Sequence, residues 1–164
     1  MTGDELKALQ APLKQKYKEA PGAGVVTLRA TGEATELVSC KVDTGRSLVE
    51  AGLHPATGGD GSLVCSGDML LEALAACAGV TLRAVAAAIG VPLRRAQIKV
   101  EGDLDFRGTL GVSKEAPVGF RDIRLTFDLD TDAPDEQRAT LIRLTERYCV
   151  VLQTLRQPPP VAVV

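Results

Sequence analysis

One segment dominates what this chain can fold into: residues 66–91, SGDMLLEALAACAGVTLRAVAAAIGV, an almost unbroken run of Ala, Leu and Val with Cys77 near its middle. Apolar residues fall on every face of a helix drawn through it, so the pattern predicts a helix buried all round, not an amphipathic one. Ser66 and Asp68 mark its start as capping residues, and Gly90 followed by Pro92 marks its end. About 20 helical residues span roughly 30 Å, enough to cross a small domain or a bilayer. Glu72 and Arg83 decide against the bilayer, because a charge of the Arg or Asp kind costs about 2.5–3.5 kcal/mol at the centre of a membrane helix. No membrane association is expected. The expectation is a central helix packed into a sheet, with small side chains that let other backbone come close and with Cys77 held on a rigid scaffold.

A length of 164 residues suits one domain with a sizeable core. A net charge of -2 and an aromatic content of 3% without Trp exclude a basic, ring-lined nucleic-acid surface. The first twenty residues, MTGDELKALQAPLKQKYKEA, lack the apolar core of a secretory signal, so a cytoplasmic protein is expected. Cys40, Cys65, Cys77 and Cys149 form no CxxC pair. In a reducing compartment such cysteines are buried hydrophobes or catalytic groups more often than structural disulfides. With His54 as the single imidazole, no structural metal is expected, and no cofactor motif is present.

Taken in order, residues 4–19 show helical spacing through Leu6, Leu9, Leu13 and Tyr17, interrupted by Pro12, which defines an N-terminal helical arm over 1–24. A single domain over 25–164 follows. Val25 to Ala30 and Ala34 to Val42 read as strands joined in a hairpin around Thr31-Gly32-Glu33, with Cys40 in the core. Asp43 to Arg46 reads as a second turn, leading into a glycine-rich loop ahead of the long helix. That loop matches neither nucleotide-binding pattern. Gln97 to Phe106 and Phe120 to Leu129 alternate with period two and are expected to pair as antiparallel strands with one wet face. A helix starting at Asp132–Glu136, a shorter one after Tyr148 and Cys149, and a terminal strand after Pro158-Pro159-Pro160 complete the order. The segregation of strands and helices gives an α+β fold, antiparallel sheets around a buried central helix. Two hairpins and a peripheral helix are too little to cover such a helix within one subunit, so an interlocked homodimer is expected.

The residues alone leave two readings of the cysteines. Buried cysteines in apolar helices are usually small hydrophobes. Alternatively Cys77 and Cys149 are an attacking thiolate and a resolving thiol, with a helix N-terminus near Cys149 favouring ionisation there. Cys65, close to the start of the long helix, is an alternative resolving thiol. His54, in LHPATGGDG, is the one candidate imidazole acid or base, though a plain surface loop explains it as well.

The segment SGDMLLEALAAC, followed late in the chain by ERYCVVLQTL, resembles the OsmC/Ohr family of osmotically inducible and organic hydroperoxide resistance proteins. The likeness covers roughly residues 25–164. It implies an intertwined homodimer with thiol sites at the subunit interface, reducing organic hydroperoxides to alcohols and recycled by a cellular dithiol. By motif position it implies Cys77 as the peroxidatic cysteine and Cys149 as the resolving one. Family sites use a carboxylate shortly before the first cysteine, and Asp68 stands where Glu is usual, one methylene shorter. They also use an activating Arg from the N-terminal strand region. Arg29 and Arg46 are both eligible; Arg46, in the turn DTGR, is preferred because a loop residue reaches an interface more easily. Glu72, inside the helix, is placed to pair with an Arg of the site or of the partner chain. A competing function on the same fold is a binding module that holds a hydrophobic ligand at the dimer interface with little or no catalysis. A redox sensor is a third.

Overall fold

The computed structural model describes residues 4–5, 8, 10–12, 19, 31–34, 39–43, 48–111 and 113–163. Strands β1 (Thr31–Ala34), β2 (Ser39–Asp43), β3 (Leu48–Gly52) and β4 (Val64–Cys65) precede the long helix α1 (Ser66–Ile89). Strand β5 (Arg95–Leu104), a single turn α2 (Phe106–Thr109) and strand β6 (Phe120–Asp130) follow, and then helices α3 (Asp135–Tyr148) and α4 (Val150–Arg156). Small sheets and helices make an α+β chain. The described elements fall into two compact units.

The first unit takes in Ala73–Lys99 and Leu125–Val164. Its core is Leu82, Val85, Ala86, Val91, Ala133 and Leu141, with Ala96, Ile98, Phe127, Leu129 and Leu144 packed against it. The alternation read from the sequence sets this face: Ile98 and Leu129 turn inward while Arg95 and Asp128 pair outside at 3.1 Å. Such exposed pairs add little stability. Helix α1 ends as its sequence dictates. Gly90 takes φ +72, and the Val91 N–H bonds the Ala86 carbonyl at 2.9 Å, so the chain turns back and Val91 joins the core.

Within one chain α1 is not buried on every face. One stripe is buried, Leu74, Ala78, Leu82, Val85 and Ala86, at the i, i+4 spacing of a helix face. Val80 is 73% exposed, and Ala73 and Ala76 are exposed with it. An apolar composition says what a helix tolerates, whereas cover is set by how much chain one copy has to offer.

The second unit takes in Thr27–Glu72 and Val100–Arg124. Here β1, β2 and β3 form an antiparallel sheet with Thr31 opposite Asp43 and Ser39 opposite Gly52, and β4 joins β3 in parallel. Thr31-Gly32-Glu33, read as a turn, is therefore strand; a lone glycine permits a turn without imposing one. The other half of the expected first hairpin, residues 25–30, lies outside the described residues. So does most of the N-terminal arm, although residues 4–5, 8, 10–12 and 19 are helical.

Strands β5 and β6 pair as a two-stranded sheet, and their ion pairs, Arg95 with Asp128 and Arg124 with Asp103, give the antiparallel direction. Phe106 does not extend β5 as its alternation suggested. Asp105 instead caps α2 by accepting from the Arg107 N–H, and turns the chain out of the strand. Gly102 within β5 has a packing reason, since a Cβ there would lie 2.5 Å from the Phe120 ring. The terminal strand is absent among the described residues: Val161 and Val163 are exposed and irregular.

Candidate functional site

The first unit holds the two cysteines that the sequence set far apart. Cys77 lies half-buried on α1, four residues after Ala73 and four before Thr81 on one helical face. Cys149 stands between α3 and α4 with extended backbone, φ −72 and ψ 105. It closes the first helix and opens the second. Its N–H bonds the Thr145 carbonyl at 2.9 Å, and its carbonyl accepts from the Gln153 N–H at 2.9 Å. Below the junction, the buried Thr145 hydroxyl donates to the Leu141 carbonyl at 2.8 Å, so no polar group is stranded there.

This break brings the fully buried Cys149 side chain beside Cys77, near enough for each thiol to shift the ionisation of the other. Both thiols are free. Their ionisation is split. Burial pushes the Cys77 thiol up, but the Val151 N–H, the Cys149 thiol, the Val150 N–H and the Thr81 hydroxyl all bond its sulfur and together bring it below an ordinary thiol. Burial likewise pushes Cys149 up, and the N–H bonds from Leu152 and Val151 do not outweigh that burial together with the neighbouring Cys77 charge. Cys77 is thus the more acidic of the two thiols and Cys149 the less acidic. The arrangement suits a nucleophilic sulfur beside a neutral thiol that can close on it.

Sequence reasoning put the helix N-terminus to work on Cys149; in the structure its N–H groups lower both thiols, and Cys77 alone ends below an ordinary thiol. Thr81 was missed as well, although its position four residues after Cys77 was a legible signal.

The remaining described candidates belong to the second unit. In the second unit, His54, Cys65 and Asp68 line a cavity of about 320 Å³ with Leu104, Phe106 and Phe120. An apolar cavity of about 340 Å³ shares His54, Cys65 and both rings and adds Leu53 and Val118. His54 stacks on Phe106 at 4.7 Å, and its Nδ1 accepts from the Ala56 N–H at 3.0 Å, so it serves as the cap of the turn Pro55–Thr57. That bond leaves Nε2 to carry the proton of the neutral ring. Glu72 is exposed on α1 and, like Asp68, makes no hydrogen bond or ion pair with a described residue. Arg29 and Arg46 lie outside the described residues. Cys40 is in β2 opposite Ala51.

The split ionisation gives a pH prediction. Alkylation of Cys77 by iodoacetamide should therefore reach half its maximal rate at a lower pH than alkylation of a free cysteine peptide. Cys149→Ala removes a donor to the thiolate and should move the midpoint upward. Peptide-resolved mass spectrometry after timed alkylation reads both. A Cys77 midpoint at or above that of the free cysteine peptide contradicts the assignment.

Residues 59–164 match the family model of the OsmC-like protein. Among solved structures, the fold is similar to an OsmC-like protein from Mycoplasma pneumoniae, with 17% identity, a TM-score of 0.69, and 81% of this chain and 89% of that one covered. It is also similar to an organic hydroperoxide resistance protein OsmC from Legionella pneumophila, with 17% identity, a TM-score of 0.64, and 82% and 92% covered. An organic hydroperoxide resistance protein from Elizabethkingia anophelis gives 15% identity, a TM-score of 0.64, and 82% and 91% covered. At such identities the likeness to these structures is one of fold. No curated protein matches the chain. With the family model spanning most of its length, and with that fold, this chain belongs to the OsmC-like protein family.

Proposed function

We propose that this chain is a thiol-dependent peroxidase that reduces organic hydroperoxides to alcohols. The Cys77 thiolate attacks the outer peroxide oxygen, the O–O bond breaks, and the alkoxide takes a proton and leaves as the alcohol. Cys77 is left as a sulfenic acid. Cys149 then attacks the sulfenic sulfur, the S–O bond breaks, water leaves and a disulfide closes. A dithiol reductant returns both thiols by two exchanges and is itself oxidised to a disulfide.

The observation that carries this reading is the buried Cys149 set at the break between two helices beside Cys77, with Cys77 held low and Cys149 high. A small hydrophobe needs neither the N–H groups of Val150 and Val151 nor the Thr81 hydroxyl on its sulfur. The hydroperoxide resistance proteins among the fold's neighbours support the substrate class. Under the same reading, Arg46, or Arg29 in its place, supplies a positive charge, with Asp68 as the carboxylate that holds it and Glu72 as a further partner. Among the described residues no charged side chain shifts Cys77. The chain acts as a cytoplasmic homodimer in which a second copy covers Ala73, Ala76 and Val80.

Peptide mapping after one equivalent of cumene hydroperoxide tests the reaction. Linked peptides carrying Cys77 and Cys149 are expected, with the peroxide consumed. Unreacted thiols beside intact peroxide, or a bond formed elsewhere, would reject it. The apolar cavity lined by Leu53, Leu104, Phe106, Val118 and Phe120 favours a second reading, a binding protein for a small hydrophobic molecule. A retained ligand in native mass spectrometry, with inert thiols, would support that instead.

A further inference from the structure

The geometry points to Gln153 as a positioning residue for the Cys77–Cys149 pair, with the Glu146–Arg156 ion pair reinforcing it. This inference rests on the redox reading above. Helix α4 has seven residues, well short of the roughly 12–15 that a helix needs to persist without outside support. Its direction must therefore be set by what it is tied to. The last carbonyls of α3 have no partner within their own helix, and one of them, that of Glu146, accepts from the Gln153 side-chain amide at 2.7 Å. One turn further on, the Arg156 guanidinium donates to the Glu146 carboxylate at 2.9 Å. Both ties cross the junction at Cys149 and end on the same residue of α3. They work as a bracket that fixes the angle between the two helices.

That angle matters because the first turn of α4 supplies two of the groups that hold the Cys77 sulfur, the Val150 and Val151 N–H groups. A tilt of α4 about Cys149 would carry them away. It would also swing the Cys149 side chain off the line along which it must approach. In the closing step, the Cys149 sulfur bonds the sulfenic sulfur of Cys77, the S–O bond breaks, and the oxygen leaves as water with the Cys149 proton. The competing step is a second hydroperoxide oxidising the sulfenic acid to the sulfinic acid, with another alcohol released. A bracket that holds the two sulfurs together favours closure over overoxidation. Its loss changes the partition between them, which ordinary destabilisation of a folded protein does not.

Gln153→Met keeps the length of the side chain and removes its donor. The full chain and this variant are each treated with graded cumene hydroperoxide, and the disulfide and Cys77 sulfinic acid are quantified by mass spectrometry, with thermal unfolding measured alongside. The expected result is a fall of about five- to tenfold in the ratio of disulfide to sulfinic acid, the scale of one hydrogen bond lost. Arg156→Glu should lower the ratio less, because the ion pair is exposed, and Glu146→Arg with Arg156→Glu should restore it. An unchanged ratio in Gln153→Met, even with a lower Tm, overturns the inference while leaving the redox reading intact. If the unaltered protein forms no Cys77–Cys149 bond, the redox reading fails and takes the inference with it.

Discussion

Replacing Cys77 with Ser is expected to bring hydroperoxide turnover down to background, a loss of more than about 10³-fold, as when an enzyme is deprived of its attacking group. A serine hydroxyl at the same point on α1 receives the same N–H groups, yet has no accessible ionised form near neutral pH and no sulfur to oxidise. The partner substitution should behave differently. Cys149→Ser leaves the thiolate, so each chain reduces one peroxide and then stalls as a sulfenic acid, which excess oxidant drives to the sulfinic acid. Stopped-flow consumption of cumene hydroperoxide separates the two, with no fast phase in Cys77→Ser and a single-turnover burst in Cys149→Ser. Full activity in Cys77→Ser would remove the proposed reaction altogether. If Cys65 were the resolving thiol, Cys149→Ser would turn over normally and Cys65→Ser would stall.

The second large effect concerns assembly. Val80 lies on the face of α1 that a single chain leaves open, at 73% exposure, whereas Leu82, two residues on and so about 200° around the helix, is fully buried in the core. If a second copy covers Val80, then Val80→Glu buries a charge without a partner, at a cost of about 3–5 kcal/mol. The dimer's dissociation constant should then rise by at least about 10²-fold. Sedimentation at micromolar protein should show a dimer for the unaltered chain and a monomer for Val80→Glu. Leu82→Ala should do the reverse, lowering the unfolding free energy by about 2–5 kcal/mol in urea without changing the assembly. A monomeric unaltered protein, or a Val80→Glu protein that remains dimeric, would discard the proposed interface.

Much of the second half of the chain was legible because its signals are local. Gly90 and Pro92 stop α1, Asp135 and Glu136 open α3, and strict alternation marks β5 and β6 to within a few residues. Where reading failed, the deciding contact was distant. Strands β3 and β4 went unread because residues 48–52 and 64–65 are too short for a period, and they are strands by virtue of what they pair with. Phe106 kept the strand's alternation, but the Asp105 cap won. At the site, the two cysteines were visible as residues and as motifs. Which sulfur is ionised was not, because Cys149 adjoins the start of α4 in sequence while the first N–H groups of that helix turn to Cys77 in space. The reason for glycine at 102 in β5, the Phe120 ring, comes from the neighbouring strand.

The bend at Cys149 is anchored by main-chain bonds on both sides, from its own N–H and to its own carbonyl. The hydrogen bonds that make the joint bypass the sulfur. Chemistry and architecture are therefore separable at this residue: the thiol can be deleted while the corner stands, and a variant that loses turnover there reports on electrons rather than on shape.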